Sequence, residues 1–498
     1  MNVNPITRLD YPDPDVIRVE DTYYMVSTTM HFMPGCEILQ SFDLVHWEHV
    51  TYVYETLDHT DAQQLKSGHN IYGQGMWAAS LRYHEGRFYI CFVANDTRKT
   101  YLYTSEKIDG PWKKQLIEGF YHDGSLLFDE DGRNYIVYGN DEIWITELNE
   151  DLTAPKKDGL HRLLVSDHKN PELGYEGSHI QKINGYYYIF LVHSLRDRWM
   201  RTEACFYSDS LEGQFTGGDV LCDDRGYCGQ GVAQGGIVDT PDGKWYAMLF
   251  QDSGAVGRLP ILLPVTWKDH FPVFGQNGHV PEEIEVHSTR PGYIYQPLVG
   301  SDDFCNGLLP RWQFNHDPDP QYYHLDALQG TYTITTREVC TELTQAVNTL
   351  TQRMSYPSCA AEVTVDASAL KEGDVAGLCA FQGCYAAVGI TKHHGKYEVL
   401  MLDKKEDGIL DMTEGTVVES HQMDFRLEAD FCNMKDEARF YYRVNKGDWL
   451  PIGTVHKLYF KLDHFTGCRF GLFCYAAEET GGSACFRDFK YYDVDEIS

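Results

Sequence analysis

The 498-residue sequence predicts an all-β chain, with a five-bladed β-propeller over residues 1–295 followed by a β-sandwich over residues 300–498. Three observations carry this prediction. One hairpin phrase recurs five times in the first half. The phrase then stops, while short alternating strands continue to the end. No stretch calls for a helix of any length.

The five copies occupy residues 13–24, 77–89, 123–135, 176–188 and 234–246. Each has a small-residue entry, a short apolar run, a turn containing Asp or Gly, and an aromatic-rich strand, which together are β-hairpin chemistry. Counted back from the anchoring tyrosine, the leading residue lies 11 positions away in the first copy and 12 in the other four. Spacings of roughly 45 to 65 residues suit one blade per copy. Related phrases close two blades, Ser41-Phe42-Asp43 running to Trp47 and Ser105-Glu106-Lys107 running to Trp112. If the blades are equivalent, their leading residues Asp13, Trp77, Asp123, Glu176 and Gln234 converge at one end of the axis.

In chain order, the first blade carries a loop with His31 and Phe32 directly after a strand. The second brings Trp77. The fifth ends in a run of small and apolar residues that contains Arg258, an odd place for a solvated charge. A turn-rich run at residues 287–293 reads as the linker. Beyond residue 300, strands centred on residues 330–334, 360–365, 386–390, 397–401, 439–444, 469–473 and 487–492 read as a sandwich of lectin-like type.

The charge balance narrows the partners. With 42 basic and 74 acidic side chains the formal net charge is -32. Such acidity argues against nucleic acid or anionic membrane and suits a neutral ligand. The start, Met1-Asn2-Val3-Asn4-Pro5, has no basic or apolar leader, and no stretch approaches a membrane span, so a cytoplasmic location is expected. Fourteen cysteines without a CxxC pair read as reduced thiols.

Two carboxyl groups held on opposite faces of a sugar suffice to hydrolyse a glycoside. Blades 1 and 4 are not neighbours, so Asp13 and Glu176 are expected across the axis, at the roughly 6.5–9.5 Å that an attacking water requires. Asp123 on blade 3 would stand beside Glu176, raising its pKa by like-charge repulsion and orienting it. Asp15 competes with Asp13, but Asp13 matches the register of the other copies to within one position. The run Asp129-Glu130-Asp131-Gly132 resembles a calcium loop in letters only and is a blade turn.

The motifs Tyr11-Pro12-Asp13-Pro14-Asp15, His122-Asp123-Gly124-Ser125 and Tyr175-Glu176-Gly177-Ser178-His179 resemble those of glycoside hydrolase family 43, the five-bladed β-xylosidases and α-L-arabinofuranosidases. The resemblance implies that Asp13 is the general base, Asp123 the pKa modulator and Glu176 the general acid of an inverting mechanism. Trp77 then resembles the tryptophan that stacks on the sugar, and Arg258 the arginine that bonds the substrate and the acid. Phe32 matches an aromatic wall of the pocket, with His31 beside it, and Gln234 lines the axis. The second domain is similar to the concanavalin A-like accessory domain of two-domain members, and residues 464–467 are its candidate wall. Many members have a histidine opening the fifth phrase that can hold calcium. Ala233 and Gln234 occupy that stretch here, so no cofactor is required and a histidine-bound axial ion is called into question; an ion held through water stays open.

The function expected on this basis is exo-acting release of xylose from β-1,4-xylo-oligosaccharides, with α-L-arabinofuranosidase or dual activity as the alternative. Partners are then xylo- or arabino-oligosaccharides, and association into a homo-oligomer is left open. A propeller lectin is disfavoured, because a binding module has no use for three mutually repelling carboxylates. A retaining fructan hydrolase would need its two carboxyls about 5–5.5 Å apart.

Overall fold

The computed structural model describes residues 2–461 and 465–493. Five four-stranded antiparallel sheets follow one another in sequence. Blade 1 consists of Asp15–Val19, Thr22–Val26, Gly35–Ser41 and Glu48–Tyr54. Blades 2, 3, 4 and 5 begin with the strands Met76–His84, Ser125–Phe128, Glu176–Ile183 and Gly236–Asp239. The five repeated phrases are therefore the innermost hairpins of five blades. Their turns follow from the residues: Glu85-Gly86 and Asn184-Gly185 both take the paired positive φ of a type I′ turn, 47° with 78° and 50° with 85°.

A single blade cannot bury both of its faces, so the ring is held by its seams. Each seam has its own apolar cluster. Ile38 meets Leu81 and Ile90 between blades 1 and 2. Cys91 and Leu102 meet Leu126 between blades 2 and 3. Val137 and Ile145 meet Ile189 between blades 3 and 4. Phe190 and Cys205 meet Ile261 between blades 4 and 5, and Met248 and Leu262 meet Val16 and Met25 where blade 5 returns to blade 1. The chain start reinforces that last seam, for Asn2–Val3 pairs with Glu283–Ile284 and Asn4 exchanges hydrogen bonds with Leu262.

Polar stitching runs along the axis. The Arg82 guanidinium of blade 2 donates to Asp15 of blade 1 at 2.8 Å, to Ser125 and the Leu126 carbonyl of blade 3 at 2.6 and 2.8 Å, and to the Ile180 carbonyl of blade 4 at 3.3 Å. His179 of blade 4 meets the other Asp15 oxygen at 3.1 Å.

The second domain packs a nine-stranded sheet on a seven-stranded one around one large apolar core. The nine-stranded sheet reaches into the propeller. The two-residue strand Phe32–Met33, from the first blade's loop, pairs with Gln313–Asn315. Buried charge reinforces the join, with Arg353 bound to Glu37 at 2.8 Å and to the Asp10 carbonyl at 2.9 Å. Among the described residues, helix is confined to four three-residue 3-10 turns. Several strands were not foreseen, notably Val375–Phe381 and Gln422–Asp430. Val375–Phe381 is buried along its whole length and so shows no alternation.

Candidate active site

The leading residue of each phrase sits where its inner strand is kinked. Asp13 and Asp123 take left-handed backbone, with φ of 51° and 48°, a region aspartate enters more readily than most residues. In blades 2 and 4 the pairing register slips directly after the leading residue, between Trp77 and Ser80 and between Glu176 and His179. Such bulges re-aim side chains at sheet rims. Gly177 occupies the blade 4 bulge at φ 67°, and a Cβ there would lie 2.3 Å from the Gln234 side chain. Only glycine allows Gln234 of blade 5 to lie across this strand.

Asp13 is buried and doubly held. Arg258 donates to one oxygen at 2.8 Å, and the Thr28 hydroxyl donates to the other at 2.6 Å. Arg258 is itself fixed by Asp252 at 3.1 Å, and the far oxygen of Asp252 binds Arg201 at 3.0 Å. These are buried ions, and their mutual pairing is what makes the burial tolerable. Thr28 also accepts from the Ala78 amide at 2.9 Å, tying Asp13 to the strand that carries Trp77.

Glu176 has a different shell. Asn140 of blade 3 donates to its Oε2 at 2.7 Å, and His122 Nε2 lies 3.5 Å from the same oxygen. The same nitrogen is 3.6 Å from Asp123 Oδ2, while the Gly177 amide donates to Asp123 at 3.0 Å. His122 is set in place by the Gly139 amide, which donates to its carbonyl at 3.0 Å. The protonation pattern follows from these contacts. The Asp123 carboxylate, opposed by burial and aided by Glu176 and Asp13, lifts His122 to about 9. Burial lifts Asp123 to about 6, with His122 opposing and Glu176 and Asp13 adding to the rise. Burial also works against the Glu176 carboxylate, but the His122 hydrogen bond and charge, with Arg201 and Arg258, outweigh it and hold the group below its ordinary value.

The sequence expectation has Asp123 raise Glu176 by like-charge repulsion; in the structure the His122 imidazole stands by both carboxylates, and its hydrogen bond and charge oppose that repulsion. Arg258 also differs: its hydrogen bonds go to Asp13 and Asp252 rather than to the Glu176 side.

Trp77 is half-buried and stands 6.3 Å from His122 and 5.2 Å from Phe465, edge to face with the latter. Phe465 comes from the second domain and its ring also covers the Arg258 guanidinium at 4.2 Å. The expected wall thus meets the site through Phe465, while His464 lies outside the described residues. Gly467 is anchored by its amide to Asp10 at 2.8 Å. His31 and Phe32 are placed elsewhere. Both are fully buried, and their rings pack 4.3 Å apart with Tyr72, His316 and Phe381 in the layer between the domains. The Arg469 guanidinium covers Phe32 at 3.5 Å. An aromatic after a strand can face a cleft or a domain interface, and its pairing with Gln313–Asn315 takes it to the interface. The structure therefore brings Asp13, Trp77, Asp123, Glu176, Gln234 and Arg258 together and leaves His31 and Phe32 in the layer between the domains.

The carboxylate nearest the axis already has its partners within the protein. Asp15 is committed to Arg82, His179 and the Leu81 amide. The space enclosed by Asp13, Ser80, Asp123, Ser178, His179 and Gln234 is about 10 Å³, room for about one water. The tightest gathering of metal-type donors among the described residues is His122, Asp123 and Glu176, within 4.8 Å of one another. There the imidazole supplies the positive charge, so the set is read as an ion-pair network.

Carboxylates on non-adjacent blades of a five-bladed propeller suit an enzyme that cleaves glycosidic bonds. Comparison with known proteins agrees. Residues 3–272 match the model of glycosyl hydrolases family 43, and residues 301–492 match the beta xylosidase C-terminal concanavalin A-like domain. The chain belongs to glycosyl hydrolase family 43 and is a glycoside hydrolase with a carbohydrate substrate. It is 27% identical to a beta-xylosidase of Formosa agariphila, over 99% of this chain and 89% of that protein. It is 24% identical to a xylosidase/arabinosidase of Butyrivibrio fibrisolvens over 99% of each. A solved structure of a bifunctional GH43-CE protein of Bacteroides eggerthii superposes with a TM-score of 0.92 at 42% identity, covering 99% of this chain. This chain spans 64% of that bifunctional protein.

Thr28, Asn140, His122, Arg201 and Asp252 were not singled out from sequence. His122 stands inside a quoted motif, immediately before Asp123, and Thr28 opens the loop that carries His31. Their signal was adjacency to a leading residue or to its strand.

Proposed function

We propose that this protein is an exo-acting, inverting glycosidase that releases xylose from the non-reducing ends of β-1,4-xylo-oligosaccharides. The observation that carries the proposal is the unequal setting of two carboxylates on blades 1 and 4. Asp13 is clamped by an arginine and a threonine that donate to it, which keeps it an acceptor. That suits a base taking a proton from water as the water oxygen bonds to the anomeric carbon. Glu176 lies against groups that can share a proton with it, His122 and Asp123. That suits an acid giving its proton to the glycosidic oxygen as the carbon–oxygen bond breaks. Trp77 offers an apolar face for the sugar ring. Phe465, lying against both Trp77 and Arg258, closes one side, which favours removal of single residues over internal cleavage.

The names of the relatives support xylose as the sugar removed. The xylosidase/arabinosidase relative supports α-L-arabinofuranose as a second substrate. The test is proton NMR of xylobiose hydrolysis at early times. Release of α-xylose before mutarotation supports the proposal. Release of β-xylose, or no turnover of xylobiose or of an aryl α-L-arabinofuranoside, overturns it.

A further inference from the structure

The hydrolysis proposed above leaves Glu176 ionised and Asp13 protonated after every turnover, so a proton must return to Glu176 before the next. The geometry points to His122 as the group that returns it. We propose that His122 is a proton-relay residue, handing its Nε2 proton to the Glu176 carboxylate between turnovers and recovering one from solvent.

The placement carries the proposal. His122 Nε2 stands 3.5 Å from Glu176 Oε2 and 3.6 Å from Asp123 Oδ2, equally near two carboxylates and fully bonded to neither. A small tilt of the ring shortens one approach at the expense of the other. Among the described residues, Glu176 is otherwise hydrogen-bonded by the Asn140 amide, which orients the oxygen and has no proton to release at working pH. The His122 side chain is 22% exposed, against 18% for Glu176 and 7% for Asp123, so it can exchange its proton with water. Its ring lies 6.3 Å from that of Trp77.

The charged groups facing this set are Asp13 from blade 1, Asp123 from blade 3, and Arg201 and Arg258 from blades 4 and 5. The carboxylates favour the imidazolium, and the arginines favour the ionised Glu176. The resting site thus holds its proton on the histidine side. Transfer makes neutral imidazole and a protonated Glu176, conserving charge and atoms. As Glu176 approaches the glycosidic oxygen, the proton passes on to the leaving group.

The inference rests on Glu176 being the general acid, and the experiment separates the two claims. The pH dependence of kcat/KM is measured for wild type, His122→Asn and His122→Phe on xylobiose, whose leaving group needs protonation. It is repeated on a 2,4-dinitrophenyl xyloside, whose leaving group does not. If the histidine stores the proton, activity on xylobiose persists at alkaline pH until the shared proton is lost. Both variants then move the alkaline limb to lower pH by about one unit or more, and the activated substrate shows no such move. Imidazole added to His122→Ala at pH 8 restores xylobiose turnover. An unmoved limb overturns the proposal. A limb moved to higher pH also overturns it, because the histidine would then act only as a fixed charge disfavouring the acid. Glu176→Gln serves as the separate control: if it retains xylobiose turnover, the underlying assignment has failed whatever His122 does.

Discussion

Asp13 on blade 1 is fixed by Arg258 and Thr28, which keep their donor character throughout the ordinary pH range, whereas Glu176 on blade 4 is met by His122 and Asn140, one of which titrates. Both carboxylates lead the same structural phrase on equivalent strands, so the repeat does not distinguish them. Their neighbours do. The arginine side is braced from behind by Asp252 and Arg201, a chain of buried ions with no spare proton. The histidine side is a loose triangle of proton-exchanging groups with one open edge. A symmetric scaffold acquires an acid face and a base face through what stands next to each leading residue.

The largest effect is expected from Asp13→Asn, which should lower kcat on every substrate by about 10⁴-fold, the upper range for a lost general base. Next is Arg258→Met. Removing one partner of a buried pair leaves Asp13 without its cation and Asp252 with Arg201 alone, at about 3–5 kcal/mol. A lower thermal midpoint and a kcat loss comparable to that of Asp13→Asn would show that the clamp is part of the base. Retention of kcat would mean that Thr28 alone suffices.

Arg82→Met tests whether the guanidinium is the cation that joins the blades. Unfolding should shift to lower denaturant by an amount equivalent to about 3–5 kcal/mol, while EDTA should leave both wild-type activity and unfolding unchanged. Loss of wild-type stability in EDTA would show that an ion shares the axis after all.

The smallest effect concerns Glu203, a fully buried carboxyl of blade 4 whose two oxygens have no hydrogen-bond partner among the described residues. Burial alone pushes it well above the ordinary carboxylate range. A carboxyl raised on folding loses stability as pH climbs above its unfolded value, because only the unfolded chain can ionise it. Glu203→Leu should therefore raise the thermal midpoint, and by more at pH 8 than at pH 5. Equal gains at both values would mean that packing rather than ionisation sets the penalty.

The three carboxylates were legible in the sequence because the hairpin register holds to within one residue, and a residue that recurs at nearly the same offset in five copies occupies an equivalent place in five blades. Trp77 and Gln234 were legible for the same reason. His122 was marked only by standing beside Asp123, since its importance lies in contacts with a group 54 residues away. His31 and Phe32 misled for a related reason. A loop aromatic is compatible with a cleft or an interface, and pairing with Gln313–Asn315, some 280 residues on, decides between them. In the sandwich, strands with one exposed face announced themselves by alternation, whereas Val375–Phe381, rich in Ala, Gly and Cys and buried on both faces, did not.

The central claim is that Glu176 and Asp13 have different jobs, and leaving-group dependence tests it most directly. Glu176→Gln is compared with wild type on xylobiose and on a 2,4-dinitrophenyl xyloside. The account predicts a loss of about 10²–10⁴-fold on xylobiose and a far smaller loss on the activated substrate, which departs without a proton. Equal losses on the two substrates would contradict it, because they would give Glu176 a role in attack rather than in departure.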